Sequence, residues 1–537
     1  MARNEKCDVL IVGGGTSAGI LAKQLAEDGF SVVCLEQGDW VQQSQLPGDK
    51  PEYELLADGP WNGSPNVRRL AVDYPCDVAA SDIEPWMFNA VGGTSIIYGA
   101  CWSRMLPSDF RVKTLDGVAD DWPLTYQELL PYYEETDREM AVSGLGGDPS
   151  YPASAPPPLP AHPINKTGRK AAEGMNKLGW HWWPGPVAIP SQPYGLLAQC
   201  ARLGICRMGC PQGAKASTDL THWPIAIRHG ARIVTGARVR EIQVDNRGLA
   251  SGAVYLDTAG NEHFQAGDVV ILAANAIGTA RLLLLSASAR FPNGLANTSG
   301  LVGKRLMMHP YTTVAGIFED YLDDWLGTAG QQIQSMQFYE SDPSRGFIRG
   351  CKWSLQPSGG LLSFLKRHRT SALHRWGDTF HADLLESVGH LVEWAIIPED
   401  LPEEKNSISL SDALRDSSGI PAPSVAYRVS ENTQHMLAFN VTRAIESLEA
   451  AGATRTWVSG TNLSSGHLLG TARMGVRPET SVTNPFGRTH DVPNLYIADG
   501  SVFVTSSGVN PASTICSLAR RMGRHLVANA RNQKTPL

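Results

Sequence analysis

This sequence of 537 residues predicts an α/β fold with a second, α+β domain built on a mixed or antiparallel sheet. Three stretches carry the prediction. Residues 8–38 read strand, glycine turn, helix, strand. Residues 268–288 repeat strand, turn and helix. From Ala231 onward, ARIVTGARVREIQVD and SGAVYLD alternate like paired strands. A chain of this length has room for roughly two to four domains.

The first stretch has the form of a Rossmann-like dinucleotide-binding unit. Val9, Leu10, Ile11 and Val12 form a short apolar run, as in a buried parallel strand. Gly13 and Gly15 let the backbone turn tightly and approach a pyrophosphate, and Ala18 allows close helix–strand packing. Thr16 and Ser17 open the helix at the same turn. Ile20, Leu21, Leu25 and Ala26 predict its buried stripe, with Lys23, Gln24, Glu27 and Asp28 turned away. The second strand ends at Glu36, about twenty residues past the glycines, where a carboxylate can accept from ribose hydroxyls. An acid there favours FAD or NAD over NADP.

The net charge of −7 gives no electrostatic case for nucleic acid. No leader-like segment precedes the first strand and no 18-residue apolar run occurs, so the expectation is a cytoplasmic protein that engages no membrane. The nine cysteines are not spaced as a disulfide framework.

Further along, Gly92, Gly93, Thr94 and Ser95 offer amides and hydroxyls to a polar ligand. Residues 120–140 read as an amphipathic helix with Thr125 as N-cap and Glu128 as its partner. The proline-rich tract at 151–163 reads as a stiff linker, and 166–178 as another helix. Trp180, Trp182 and Trp183 around His181 suit a sugar-stacking or flavin-flanking wall and a core corner equally well. Cys200, Cys206 and Cys210 are the one cysteine cluster. They could hold an iron–sulfur cluster or be three reduced structural thiols, and the usual zinc spacings are absent. Residues 365–376 read as an exposed basic helix, and 433–451 as a helix.

Near the end, Leu495–Ala498 is a short strand running into Asp499 and Gly500. Asn510 and Pro511 then open a helix, whose N-terminus favours negative charge. His467 sits in a glycine-flanked turn; by composition alone a structural histidine is the better reading.

Four blocks together resemble the glucose–methanol–choline (GMC) oxidoreductases: DVLIVGGGTSAG with Glu36, GGTS with YGACWSR, ILAANAIGTARLLL, and HLLGTARMG with DGSVFVTSSGVNPASTI. VKTLDGVADDWPLTYQELLPYY, GCPQGAKAS and LPEEKNSISL resemble the gluconate-dehydrogenase-like, sugar-oxidising branch. The resemblance implies FAD as cofactor, with Gly13, Gly15 and Glu36 on its ADP half, and Val239 and Ala274 lining the same site. It places Gly93 and Thr94 by the flavin, Asp499 and Gly500 at its centre, and Pro511 beside it. It also implies His467 as catalytic base and Asn510 as its partner. Ile96, Ile97 and Tyr98 stand where some relatives attach flavin through histidine, so FAD is expected to be non-covalent.

The implied domains are an FAD-binding one (1–115, 200–310 and 461–537) and a substrate-binding one (116–199 and 311–460). The implied activity is oxidation of an alcohol on a sugar, sugar acid or glycoside. Aromatic or aliphatic alcohols, or a non-redox lyase, are the alternatives. Oxygen or a soluble carrier is the expected electron acceptor, and iron at the three cysteines would favour a protein acceptor instead.

Overall fold

The computed structural model describes residues 5–368, 377–463 and 465–533. Its first sheet grows from the glycine-turn strand. Cys7–Val12 pairs in parallel with Val32–Leu35 on one side and with the end of Glu262–Leu272 on the other. Arg232–Val234 extends the first edge and Leu495–Ile497 the second. In chain order the parallel strands therefore run 3-2-1-4-5, the doubly wound arrangement that places ligands at the carboxyl ends of the strands. Glu262–Leu272 serves two ladders, because residues 262–266 pair antiparallel with Ala250–Leu256, and Arg238–Val244 closes that side.

Helix Thr16–Glu27 buries Ile20, Leu21, Leu25 and Ala26 in one core with Val9, Ile11 and Cys34. Each of the larger side chains contributes about 1.5–3 kcal/mol by leaving water. Gln24 departs from the expected pattern: it is buried, and its Oε1 accepts from Arg520 Nη1 at 3.1 Å. A second helix, Ala512–Gln533, lies across that face and turns a surface position into an interior one.

The second sheet is antiparallel throughout and is ordered Arg455–Leu463, Tyr311–Ile317, Leu391–Pro398, Cys351–Gln356, Ile333–Ser335, Trp183–Pro184. Helices Lys166–Leu178 and Glu431–Ala450 cover one face. Cys351, Trp353 and Leu355 point into that core, so by the two-residue period Lys352, Ser354 and Gln356 point the other way. All six are buried, which means the polar face is covered too.

Two segments cross the domain boundaries drawn from sequence. Helix Tyr126–Glu139 carries the Thr125–Glu128 capping box but packs on Ala512–Gln533, with Tyr133 Oη 2.7 Å from Thr514 Oγ1. The hairpin Ser407–Arg415 and Pro421–Tyr427 pairs with Asp77–Ser81 and packs under helix Asn275–Leu285. The proline-rich tract is also more than a linker, since Leu159–Pro160 pairs with Ser143–Gly144. The expected basic helix is seen in part as Leu361–His368, and its remainder lies outside the described residues. Among the described residues no helix is long and apolar enough to cross a membrane.

Candidate active site

A large cavity, about 1180 Å³ of space partly open to solvent, lies at the carboxyl ends of the parallel strands. Gly13, Gly15, Thr16, Ser17, Glu36, Gly93, Thr94, Val239, Ala274, Asp499, Gly500 and Pro511 all line it. Ala18 does not; it is fully buried against the sheet, the packing role its position predicts. Asn510 is also outside this lining and belongs to the neighbouring corner described below.

Gly13 has φ +97°, and a Cβ there would lie 2.6 Å from the Ala273 carbonyl oxygen. Gly93 (φ +57°) approaches Gly15 so closely that its Cβ would meet that Cα at 3.0 Å. These two turns therefore form one glycine floor, assembled from segments far apart in sequence. Glu36 accepts from Gly14 N at 2.6 Å and from Gly38 N at 2.7 Å. Burial pushes its carboxyl pKa up, and the amides pull it back. Its two oxygens keep lone pairs free toward the cavity.

Asp499 is held by Thr279 Oγ1 at 2.6 Å and by Ser501 N at 2.9 Å. Tyr74, on the same wall, has its hydroxyl buried beside Asn275. A floor without Cβ atoms and a buried carboxylate with spare lone pairs fit a dinucleotide. Among the described residues no histidine or cysteine lines the cavity.

Beside Pro511 the chain assembles a second constellation. The bridge between Met307 and Leu469 is antiparallel, and continuing that register sets His309 opposite His467. Their Nδ1 atoms lie 2.7 Å apart, and His309 Nε2 is 2.8 Å from the Ser507 carbonyl oxygen. A carbonyl can only accept, so His309 carries its proton on Nε2 and has a bare Nδ1. His467 must then donate from Nδ1, which leaves its Nε2 bare. That bare nitrogen faces Asn510 Nδ2 at 3.3 Å and Tyr311 Oη at 3.3 Å.

Burial, the neighbouring His309, and the more distant Lys352 and Arg207 hold the His467 pKa well below the usual histidine range. Burial pushes His309 down to about 4. Both rings are therefore neutral at pH 7. Asn510 in turn accepts at Oδ1 from Lys352 Nζ at 2.5 Å. A neutral imidazole with a bare nitrogen beside an amide donor can take a hydroxyl proton and stabilise the oxygen left behind.

His309, Tyr311, Lys352 and Tyr74 did not emerge from the sequence. His309-Pro310-Tyr311 opens a strand in a stretch without local signals, and only its pairing with the later strand sets it opposite His467. The tryptophan cluster divides. Trp180 packs edge-on to Phe338 at 4.9 Å in the second core, whereas Trp183 lines a separate cavity. None of the three lines the dinucleotide cavity.

Among the described residues no group of three or more His, Cys, Asp and Glu is placed to hold a metal ion. Cys200 is raised to about 12, chiefly by burial and then by Cys206 and Cys210 nearby. Buried Lys215 donates to Ile96 O, Tyr98 O and Cys206 O, which ties this cysteine turn to the segment after Thr94.

A doubly wound domain with a dinucleotide cavity, beside a buried pair of neutral histidines and an antiparallel sheet, is the arrangement of a flavin- or nicotinamide-dependent oxidoreductase. The family models choose between these: both halves of GMC oxidoreductase match, over residues 7–311 and 402–519. The chain belongs to the GMC oxidoreductases, FAD-dependent enzymes that oxidise alcohol groups. It is 38% identical over 533 residues to 2-methyl-1,2-propanediol dehydrogenase of Mycolicibacterium austroafricanum, covering 97% of this chain and 95% of that one. It is 30% identical to the fructose dehydrogenase large subunit of Gluconobacter japonicus, covering 96% of each. The fold is shared with formate oxidase of Aspergillus oryzae RIB40 at TM-score 0.67 and 15% identity, covering 99% of this chain and 100% of that one.

Proposed function

We propose that this enzyme oxidises a hydroxyl group of a sugar, sugar acid or glycoside, with His467 as base and Asn510 as the donor to the developing alkoxide. The observation that carries the reading is the bare Nε2 of neutral His467, 3.3 Å from Asn510 Nδ2. A substrate hydroxyl within reach of both gives its proton to Nε2 and accepts a hydrogen bond from the amide. Bound FAD supplies the hydride acceptor. Gly13, Gly15, Thr16, Glu36, Gly93, Thr94, Val239, Ala274, Asp499 and Gly500 would hold it without a covalent bond. The amide at Asn510 does not titrate, so it positions the oxygen at any working pH.

A second reading, a short aliphatic diol, is favoured by the 38% likeness to the propanediol dehydrogenase. The deciding experiment is anaerobic mixing of the holoenzyme with fructose, gluconate, a glycoside and 2-methyl-1,2-propanediol while flavin absorbance is followed. Bleaching by a sugar or sugar acid supports the main reading, and bleaching by the diol alone supports the second. A flavin that no alcohol bleaches would overturn both and point to a non-redox lyase. The purified protein's spectrum also bears on the acceptor, since iron–sulfur absorption would replace oxygen or a soluble carrier with a protein.

A further inference from the structure

Lys352 lies on the covered face of the antiparallel sheet, fully buried, and no carboxylate pairs with it among the described residues. Its Nζ has three acceptors: Asn510 Oδ1 at 2.5 Å, Gln331 Oε1 at 2.8 Å and Ser103 Oγ at 3.2 Å. Ser103 spends its own proton on Gln334 Oε1, and Gln331 turns its amide nitrogen to Ser103 and Pro186, so both offer lone pairs to the amine. Three acceptors match the three protons of an ammonium group. Burying that charge costs several kcal/mol, and a neutral amine, with two protons, would leave one of the three acceptors unmet.

The hydrogen bonds leading away from Lys352 all run in one direction. Lys352 donates to Asn510, Asn510 to His467, His467 to His309, and His309 to the Ser507 carbonyl. The chain is pinned at one end by a group that only donates and at the other by one that only accepts.

We propose that Lys352 is a positioning residue of the catalytic corner, whose charged amine fixes the Asn510 amide with Nδ2 toward His467 and the substrate. The proposal rests on the alcohol-oxidation reading above. A neutral amine can accept as well as donate, so loss of the charge releases the amide to turn over and removes a cation that opposes protonation of His467. Burial lowers Lys352 to about 8, within reach of ordinary working conditions. The titratable groups acting on or sensing it are Cys101 from the adjoining segment, and His309 and His467 across the site. Glu393, on the neighbouring strand, is engaged by Arg367.

The test uses the FAD-loaded enzyme and Lys352→Met, which keeps an unbranched chain one atom shorter and removes donors and charge. Flavin content and the histidine NMR titration are recorded with the pH profile of anaerobic flavin reduction. The variant is expected to keep FAD and to reduce it about 10- to 100-fold more slowly, with half-saturation changed less than about 3-fold. The wild-type decline above about pH 8 should vanish, and the His467 resonance should titrate at higher pH.

A variant with the wild-type rate, the same alkaline decline and an unmoved His467 titration overturns the proposal. If Lys352→Met does not fold, Gln331→Leu removes one acceptor and should move the alkaline decline to lower pH; an unmoved decline is equally fatal. If no alcohol reduces the wild-type flavin, the oxidation reading fails by itself, and the His467 titration still decides the role of Lys352.

Discussion

In the dinucleotide cavity the floor is backbone: Gly13 abuts the Ala273 carbonyl, Gly93 approaches the Cα of Gly15, and Glu36 accepts from the amides of Gly14 and Gly38. In the catalytic corner the floor is side chain: Lys352, Asn510, His467 and His309 hold one another at 2.5–3.3 Å, and one backbone carbonyl closes the row. At Gly13 and Gly93 the first region leaves no room for a side chain. The second depends on which atom donates. A substitution in the cavity should therefore act on cofactor retention, and one in the corner on rate with the cofactor still bound.

The largest effect is expected at Gly13. Gly13→Val places a branched side chain on a residue at φ +97° whose Cβ lies 2.6 Å from a carbonyl oxygen. The protein should emerge without flavin absorbance, and a yellow variant would break the distinction between the two regions. Next comes His467→Ala, which should retain FAD and slow anaerobic flavin reduction by about 10²–10⁴-fold. Near-normal reduction would remove His467 as base.

Glu36→Gln turns an amide donor toward either Gly14 N or Gly38 N, and is expected to weaken FAD binding about 10- to 100-fold. Equilibrium dialysis of the cofactor checks it, and a loss of reduction rate in the saturated variant would mean that the two regions are not separable.

A smaller effect is the acid limb. Because burial, then His309 and the more distant Lys352 and Arg207, hold His467 well below the ordinary histidine range, the ring stays neutral, and the reduction rate should be flat between about pH 6 and 7. The rate should fall only in stronger acid, as Nε2 gains a proton. A decline already centred near pH 6.5 would mean that His467 is solvated in the working enzyme. Smallest is Tyr311→Phe, which loses one 3.3 Å contact and should cost about 10-fold or less in reduction rate.

What could be read from the chain alone was whatever is local. The strand–glycine–helix–strand order with Glu36 in place determined the first βαβ unit, because periodicity and turn chemistry act over neighbouring residues. The Thr125–Glu128 cap was equally legible, since capping needs only four residues. His467 and Asn510 are singled out in the sequence by the family resemblance and not by their own chemistry.

Tertiary structure decided the rest. Gln24 is on the polar side of its helix by pattern, yet it is interior because a helix from the other end of the chain covers it. His309 and Lys352 lie 158 residues from His467 and Asn510 respectively, and no local signal distinguishes them from a core histidine or a surface lysine. Strand pairing sets the two histidines opposite each other, and the two-residue alternation of Cys351–Gln356 turns Lys352 inward to meet Asn510. The physical reason is range: hydrogen-bond direction and desolvation depend on which atoms finally meet, and only the packed sheets determine that.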